Sequence, residues 1–103
     1  MSRIIRVAQA VDLPPGKAMA VEASGKRIAL FNVGGKYFAI DDTCTHEGAP
    51  LCEGTVERTI VTCPWHAAMF DLTSGEALSP PADRDVTVYP VRVEDGQIKI
   101  ELP

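Results

Sequence analysis

The chain contains two histidines, and each sits beside a cysteine. Cys44-Thr45-His46 forms one pair and Cys63-Pro64-Trp65-His66 the other, with the sixteen residues 47–62 between them. Thiolate and imidazole both bind soft and borderline metals, and these spacings let one tight loop present both. Coincidence is a poor account, because every histidine in the chain falls in the pattern. Two metal chemistries compete. Cys2His2 is a common tetrahedral zinc set. Zinc fingers, however, pair Cys with Cys and His with His on a helix, whereas here each loop mixes the two. A [2Fe–2S] cluster with two cysteines on one iron and two histidines on the other suits mixed loops, because each loop then gives one ligand to each iron. The third cysteine, Cys52, lies outside the pattern and reads as a small, partly buried residue.

The elements that must position these loops read as short strands between turn signals. Residues 3–8 mix Ile and Val with polar residues until Pro14-Pro15-Gly16 breaks the run. Residues 18–22 form a short strand, and Ser24-Gly25 makes the next turn. Residues 27–33 and 36–40 flank Gly34-Gly35, a two-residue hairpin signal, and Asn32 suits its approach. Residues 86–89 and 91–94 are strand-like around Pro90. Asp95-Gly96 is a further hairpin turn, and 97–101 alternates polar with apolar. No long segment has a period of 3.6 residues, which predicts an all-β domain.

The middle of the chain differs. Residues 41–81 hold most of the Thr, every Cys and His and half of the Pro, with only short apolar pieces, 59–62 and 69–72. Composition predicts that apolar packing alone does not organise this stretch and that a metal centre does. The piece 59–62 reads as a strand that carries the second loop back beside the first.

CTHEGAPLCEG and CPWHAAMFDLTSGEAL resemble the two cluster-binding boxes of Rieske proteins, and the similarity extends through Pro80-Pro81 to VYPVRVEDGQIKI. The resemblance implies a Rieske fold: an antiparallel, β-sandwich-like base domain with a small inserted cluster-binding subdomain, here about 41–81 within a single domain 1–103. It implies one Rieske [2Fe–2S] cluster bound by Cys44, His46, Cys63 and His66. High-potential members carry an extra cysteine in each box, joined as a disulfide. The corresponding positions here are Ala49 and Trp65, so that bridge is absent. Those members also donate hydrogen bonds to sulfur from a serine and a tyrosine, where this chain has Ala68 and Phe70. Lost donors disfavour the more negative reduced cluster, so the potential is expected at the low end of the Rieske range.

The chain resembles the soluble Rieske ferredoxins of bacterial aromatic-ring oxygenase systems. The resemblance implies a cytoplasmic carrier that takes single electrons from a flavoprotein NAD(P)H reductase and passes them to a terminal oxygenase. A Rieske oxygenase itself also needs a mononuclear iron with two histidines and a carboxylate. Both histidines here are already used, so no catalysis is expected. Two other readings stay open: a small Rieske-fold subunit of an NAD(P)H nitrite reductase, and a zinc-stabilised interaction domain.

Bulk properties bound these readings. The 103 residues allow one domain, and 46% hydrophobic with 23% charged residues supports a folded core. A net charge of −4 argues against nucleic acid and anionic membrane surfaces as partners, since both reward clustered Lys and Arg. No apolar run reaches the roughly 18 residues of a membrane span, and the first residues do not read as a signal peptide. Among single residues, Trp65 either packs beside the centre or offers an exposed aromatic for docking. Pro64, Pro80 and Pro81 stiffen loops. Gly48, Gly54 and Gly75 supply turn geometry. Asp41, Asp42, Glu47 and Glu53 read as an acidic, solvated face that could also steer a basic partner.

Overall fold

Among the described residues the chain forms ten strands, β1 (Arg3–Gln9), β2 (Ala18–Ala23), β3 (Lys26–Val33), β4 (Lys36–Asp41), β5 (Thr55–Glu57), β6 (Ile60–Thr62), β7 (Met69–Asp71), β8 (Val88–Tyr89), β9 (Val91–Glu94) and β10 (Gln97–Leu102). Single 3-10 turns occur at Ala10–Asp12 and Leu51–Glu53. The computed structural model describes residues 3–43, 50–65, 67–79 and 84–102. Three antiparallel sheets result, in the orders β1-β10-β9, β2-β3-β4-β8 and β5-β6-β7. This is the expected all-β architecture. The short strand β5 and the two 3-10 turns carry no clear sequence signal, because three residues are too few to show a period.

Three two-residue connections, Ser24-Gly25, Gly34-Gly35 and Asp95-Gly96, have both residues at positive φ. That is the backbone of type I′ turns, whose twist matches that of the flanking strands. The Gly34-Gly35 turn sets the register of β3 on β4, pairing Val33 with Lys36 and Ile28 with Asp41. Buried Asn32 ties this hairpin down. Its Nδ2 donates to the Leu13 carbonyl at 2.8 Å, and its Oδ1 accepts the Gly35 amide at 2.9 Å.

Strand β3 explains how the sheets stack. Its run Ile28-Ala29-Leu30-Phe31 is apolar throughout rather than alternating, the pattern of a strand buried on both faces. Ile28 and Leu30 enter one core with Leu13, Ala39, Tyr89, Ile98, Ile100 and Leu102. Ala29 and Phe31 enter a second core with Ile40, Leu51, Val61, Cys63, Ala68, Phe70, Leu72 and Val86. The four-stranded sheet is therefore the middle layer, with a core on each face.

The second core corrects the reading of the middle segment. Residues 51–72 contribute six fully buried or nearly buried apolar side chains and a three-stranded sheet of their own. Composition understated this packing because the buried residues are scattered singly among polar ones. Two glycines work differently from expectation as well. A Cβ on Gly54, whose φ is negative, would lie 2.2 Å from the Thr62 carbonyl oxygen. This glycine permits a close crossing of β5 and β6 rather than a turn. Gly75 does both, with φ +78 and a Cβ position 2.1 Å from the Val86 carbonyl oxygen.

Candidate metal centre

Each Cys/His pair lies on a loop closed at its neck. For residues 44–49 the neck is an antiparallel bridge between Thr43 and Pro50, reinforced by the Leu51 amide donating to the Asp42 carbonyl at 2.6 Å. Leu51 then turns inward and is fully buried. The second loop caps the β6–β7 hairpin. Thr62 pairs with Met69, and inside that pair the Cys63 amide donates to the Ala68 carbonyl at 2.7 Å. Ala67 has φ 59, a left-handed conformation uncommon for a residue with a side chain, and this reverses the chain within the loop.

Cys63 is 3% exposed and shares its core with Leu51, Ala68, Phe70 and Leu72. The exit of the first loop and the start of the second are thus anchored in one apolar cluster. Cys44, His46 and His66 lie outside the described residues, as do Gly48, Ala49, Pro80 and Pro81. Of the four expected ligands, the structure therefore places Cys63. The donor chemistry fits an iron–sulfur centre there: a buried sulfur at a hairpin tip, backed by the side chains of Ala68 and Phe70, is a shielded, apolar setting for a thiolate–iron bond.

Cys52 is half-buried beside this core and belongs to the 3-10 turn that follows the first loop. Burial, followed by the neighbouring Asp42 carboxylate, pushes its thiol up to about 11. Thiolate is the ligating form, so this setting disfavours deprotonation of Cys52. Trp65 is 50% exposed. Met69 and Leu78 are exposed too, and the Leu78 amide donates to the Met69 carbonyl at 2.8 Å.

Sequence reasoning misjudged two of the four acids it assigned to a solvated face. Asp41 accepts a hydrogen bond from the Tyr89 hydroxyl at 2.5 Å. Burial first, then that carboxylate, raises the Tyr89 phenol well above its ordinary range. Asp42 is 1% exposed, and its Oδ2 accepts from Arg27 Nε at 2.5 Å while its Oδ1 accepts the Cys52 amide at 2.9 Å. One signal pointed to this pair: the register set by Gly34-Gly35 places Asp42 directly opposite Arg27, one step beyond Ile28 and Asp41.

A cavity of about 330 Å³ is lined among others by Lys17, Phe31, Asn32, Cys52, Val56 and Arg58, and Cys63 is not among its described lining residues.

Comparison with known proteins agrees with this geometry. The model of the Rieske [2Fe-2S] domain matches residues 3–90. The 3-phenylpropionate/cinnamic acid dioxygenase ferredoxin subunit of Escherichia coli strain K12 is 50% identical over 93 residues, 89% of this chain and 87% of that protein. The structure of Sphingomonas yanoikuyae B1 ferredoxin superposes with a TM-score of 0.90 at 34% identity, covering 98% of this chain and 100% of that one. A chain from the complex of reduced oxygenase and oxidised ferredoxin in carbazole 1,9a-dioxygenase gives a TM-score of 0.87 at 33% identity, covering 94% of this chain and 91% of that one. Zinc is set aside on this kinship, and the chain belongs to the Rieske [2Fe–2S] domain family and carries one Rieske-type cluster.

Proposed function

We propose that the protein is a low-potential electron carrier that moves single electrons from a flavoprotein NAD(P)H reductase to a terminal Rieske oxygenase, its cluster held by Cys44 and Cys63 on one iron and His46 and His66 on the other. The observation that carries this reading is that Leu51, just after the segment bearing Cys44 and His46, and Cys63, which opens the second pair, are buried in one apolar core. Half identity to a dioxygenase ferredoxin subunit supports the oxygenase system over a nitrite reductase. The carbazole dioxygenase complex supports an oxygenase as direct partner. Residues 41–81, with their own small sheet, are the cluster-binding subdomain of the single domain 1–103.

When bound, a Rieske cluster supplies a one-electron couple. The residues of this chain determine its setting. Cys63 presents sulfur from a closed hairpin tip, and Ala68 and Phe70 keep water from its buried side. Trp65, Met69 and Leu78 give the second box an apolar outer surface on which a partner enzyme can dock. Kinship to proteins named as dioxygenase ferredoxin subunits supports an electron-transfer component of the oxygenase system rather than its catalyst. Among the described residues no helix is long and apolar enough to cross a membrane. We place the carrier in the cytoplasm, where an NAD(P)H-oxidising reductase finds its reductant.

The test is direct. Purified protein is expected to be red-brown with two irons and two sulfides per chain. It should restore electron flow between a flavoprotein reductase and the terminal oxygenase of a 3-phenylpropionate dioxygenase system, read as product formed per NADH consumed. Stoichiometric zinc without sulfide overturns the cofactor. A loaded protein that serves a nitrite reductase and no oxygenase overturns the partner.

A further inference from the structure

Asp42 is the charged side chain among the described residues that is buried to 1% exposure, and nothing in the electron-transfer reading uses it. Its position is specific. It stands one residue beyond the end of β4 and two before Cys44, at the neck through which the chain enters the first ligand loop. Two of its hydrogen bonds reach Arg27 on β3, and two reach across the neck to Leu51 and Cys52. The amide donates to the Arg27 carbonyl at 3.1 Å, and the carbonyl accepts the Leu51 amide at 2.6 Å. Oδ2 accepts from Arg27 Nε at 2.5 Å, and Oδ1 accepts the Cys52 amide at 2.9 Å.

One carboxylate therefore ties the rigid middle sheet, through Arg27 at the start of β3, to the turn that leaves the loop, through Cys52. A buried charge is expensive unless paired and fully hydrogen-bonded, and here it is both. Charge-assisted bonds are also shorter and more directional than neutral ones, so this arrangement fixes geometry as well as proximity. An apolar residue at the same place could fill the space but could not hold both partners.

We propose that Asp42 is a positioning residue for the cluster: its carboxylate sets the angle at which the loop bearing Cys44 and His46 leaves the sheet, and so presents both ligands to the cluster. The proposal rests on the ligand assignment above. It differs from a merely structural role, in which Asp42 would stabilise the fold without affecting the centre in particular.

The test uses loaded protein and three variants. Asp42→Ala removes both side-chain bonds. Asp42→Asn keeps the shape and an acceptor for the Cys52 amide but loses the acceptor for Arg27. Ile98→Val, in the opposite core, lowers global stability without touching the loop. Each is measured for global stability, for the rate at which a ferrous chelator strips the cluster, and for the electron paramagnetic resonance g-values after reduction. Outer-sphere partners of metal ligands typically change affinity by about 10–100-fold. Asp42→Ala is expected to lose its cluster about tenfold faster than wild type, with shifted g-values. Asp42→Asn should fall between the two, and Ile98→Val should match wild type. Should Asp42→Ala not fold, Asp42→Asn decides. Loss no faster than in Ile98→Val overturns the proposal. The ligand assignment fails separately, by Cys44→Ser retaining a full cluster with wild-type g-values.

Discussion

Two side chains behind Cys63 bear on the redox potential. Ala68 and Phe70 are fully buried and carry no donor. A reduced cluster has one more negative charge than an oxidised one, so a hydroxyl aimed at sulfur favours reduction. Ala68→Ser and Phe70→Tyr are therefore expected to raise the potential. If each new bond favours the reduced state by roughly 1.5–3 kcal/mol, and 59 mV corresponds to a tenfold change for one electron, the ideal shift is on the order of 60–130 mV. Voltammetry of the loaded variants checks this. Unchanged potentials with intact clusters would show that these positions do not face the sulfurs. Each hydroxyl also enters an apolar site, so a variant whose new group finds no acceptor should lose about 1–3 kcal/mol of stability instead. Cys52 makes the second residue-scale case. Its proton is retained to about 11 where an unhindered thiol releases it near 9. The folded state thus binds a proton that the unfolded chain gives up, and the Cys52 contribution to stability falls as pH rises from about 9 to about 11. Alkylation at pH 8 should be much slower than that of a free thiol and accelerate toward pH 11, while Cys52→Ser leaves the cluster spectrum unchanged.

At the scale of elements, the β5-β6-β7 sheet changes what cluster removal should do. Val61, Phe70 and Leu72 share one apolar core with Ala29, Phe31 and Ile40 of the middle sheet, a contact made between side chains of the chain itself. The cluster-free protein is expected to keep slow amide exchange at Val61 and Phe70. Exchange at Cys63, whose amide bridges the loop tip to Ala68, should quicken. Hydrogen exchange on loaded and cluster-free protein measures both. Loss of protection across all three strands would mean that the metal, and not the shared core, organises the segment. The anchor itself is Leu51. Leu51→Ala should cost about 2–5 kcal/mol in denaturant unfolding, because it opens a cavity under the neck of the first loop.

Across the whole molecule, charge is unevenly spread. Residues 41–85 contain nine carboxylates and two arginines, while the remainder has five carboxylates against eight Lys and Arg. The segment is thus close to −7 and the rest close to +3, which predicts a field biased negative on the side of the cluster-binding segment. Such a field steers encounter with a basic patch and is screened over about 8–10 Å at moderate salt. The second-order rate of electron transfer to the oxygenase should therefore fall as ionic strength rises from about 0.01 to 0.5 M, with stopped-flow absorbance as the measurement. A rate independent of salt would point to docking through Trp65, Met69 and Leu78 alone.

Local patterns along the chain point to the chemistry and to most of the strands. Cys and His are rare, and their spacing along the chain is a local property, so a donor set can be proposed from sequence without a fold. Type I′ turns are also local, and Gly34-Gly35 and Asp95-Gly96 settle their hairpins and registers. What the tertiary structure decided is non-local. The double burial of β3 depends on two separate sheets covering it. The close crossing at Gly54 depends on where Thr62 arrives, and the shared anchorage of the two loops depends on Leu51 meeting Cys63. Asp42 shows the boundary most clearly. Its pairing with Arg27 follows from hairpin register and could be read along the chain. Its burial could not, because desolvation is set by the Leu51–Glu53 turn folding back over it from beyond the ligand loop.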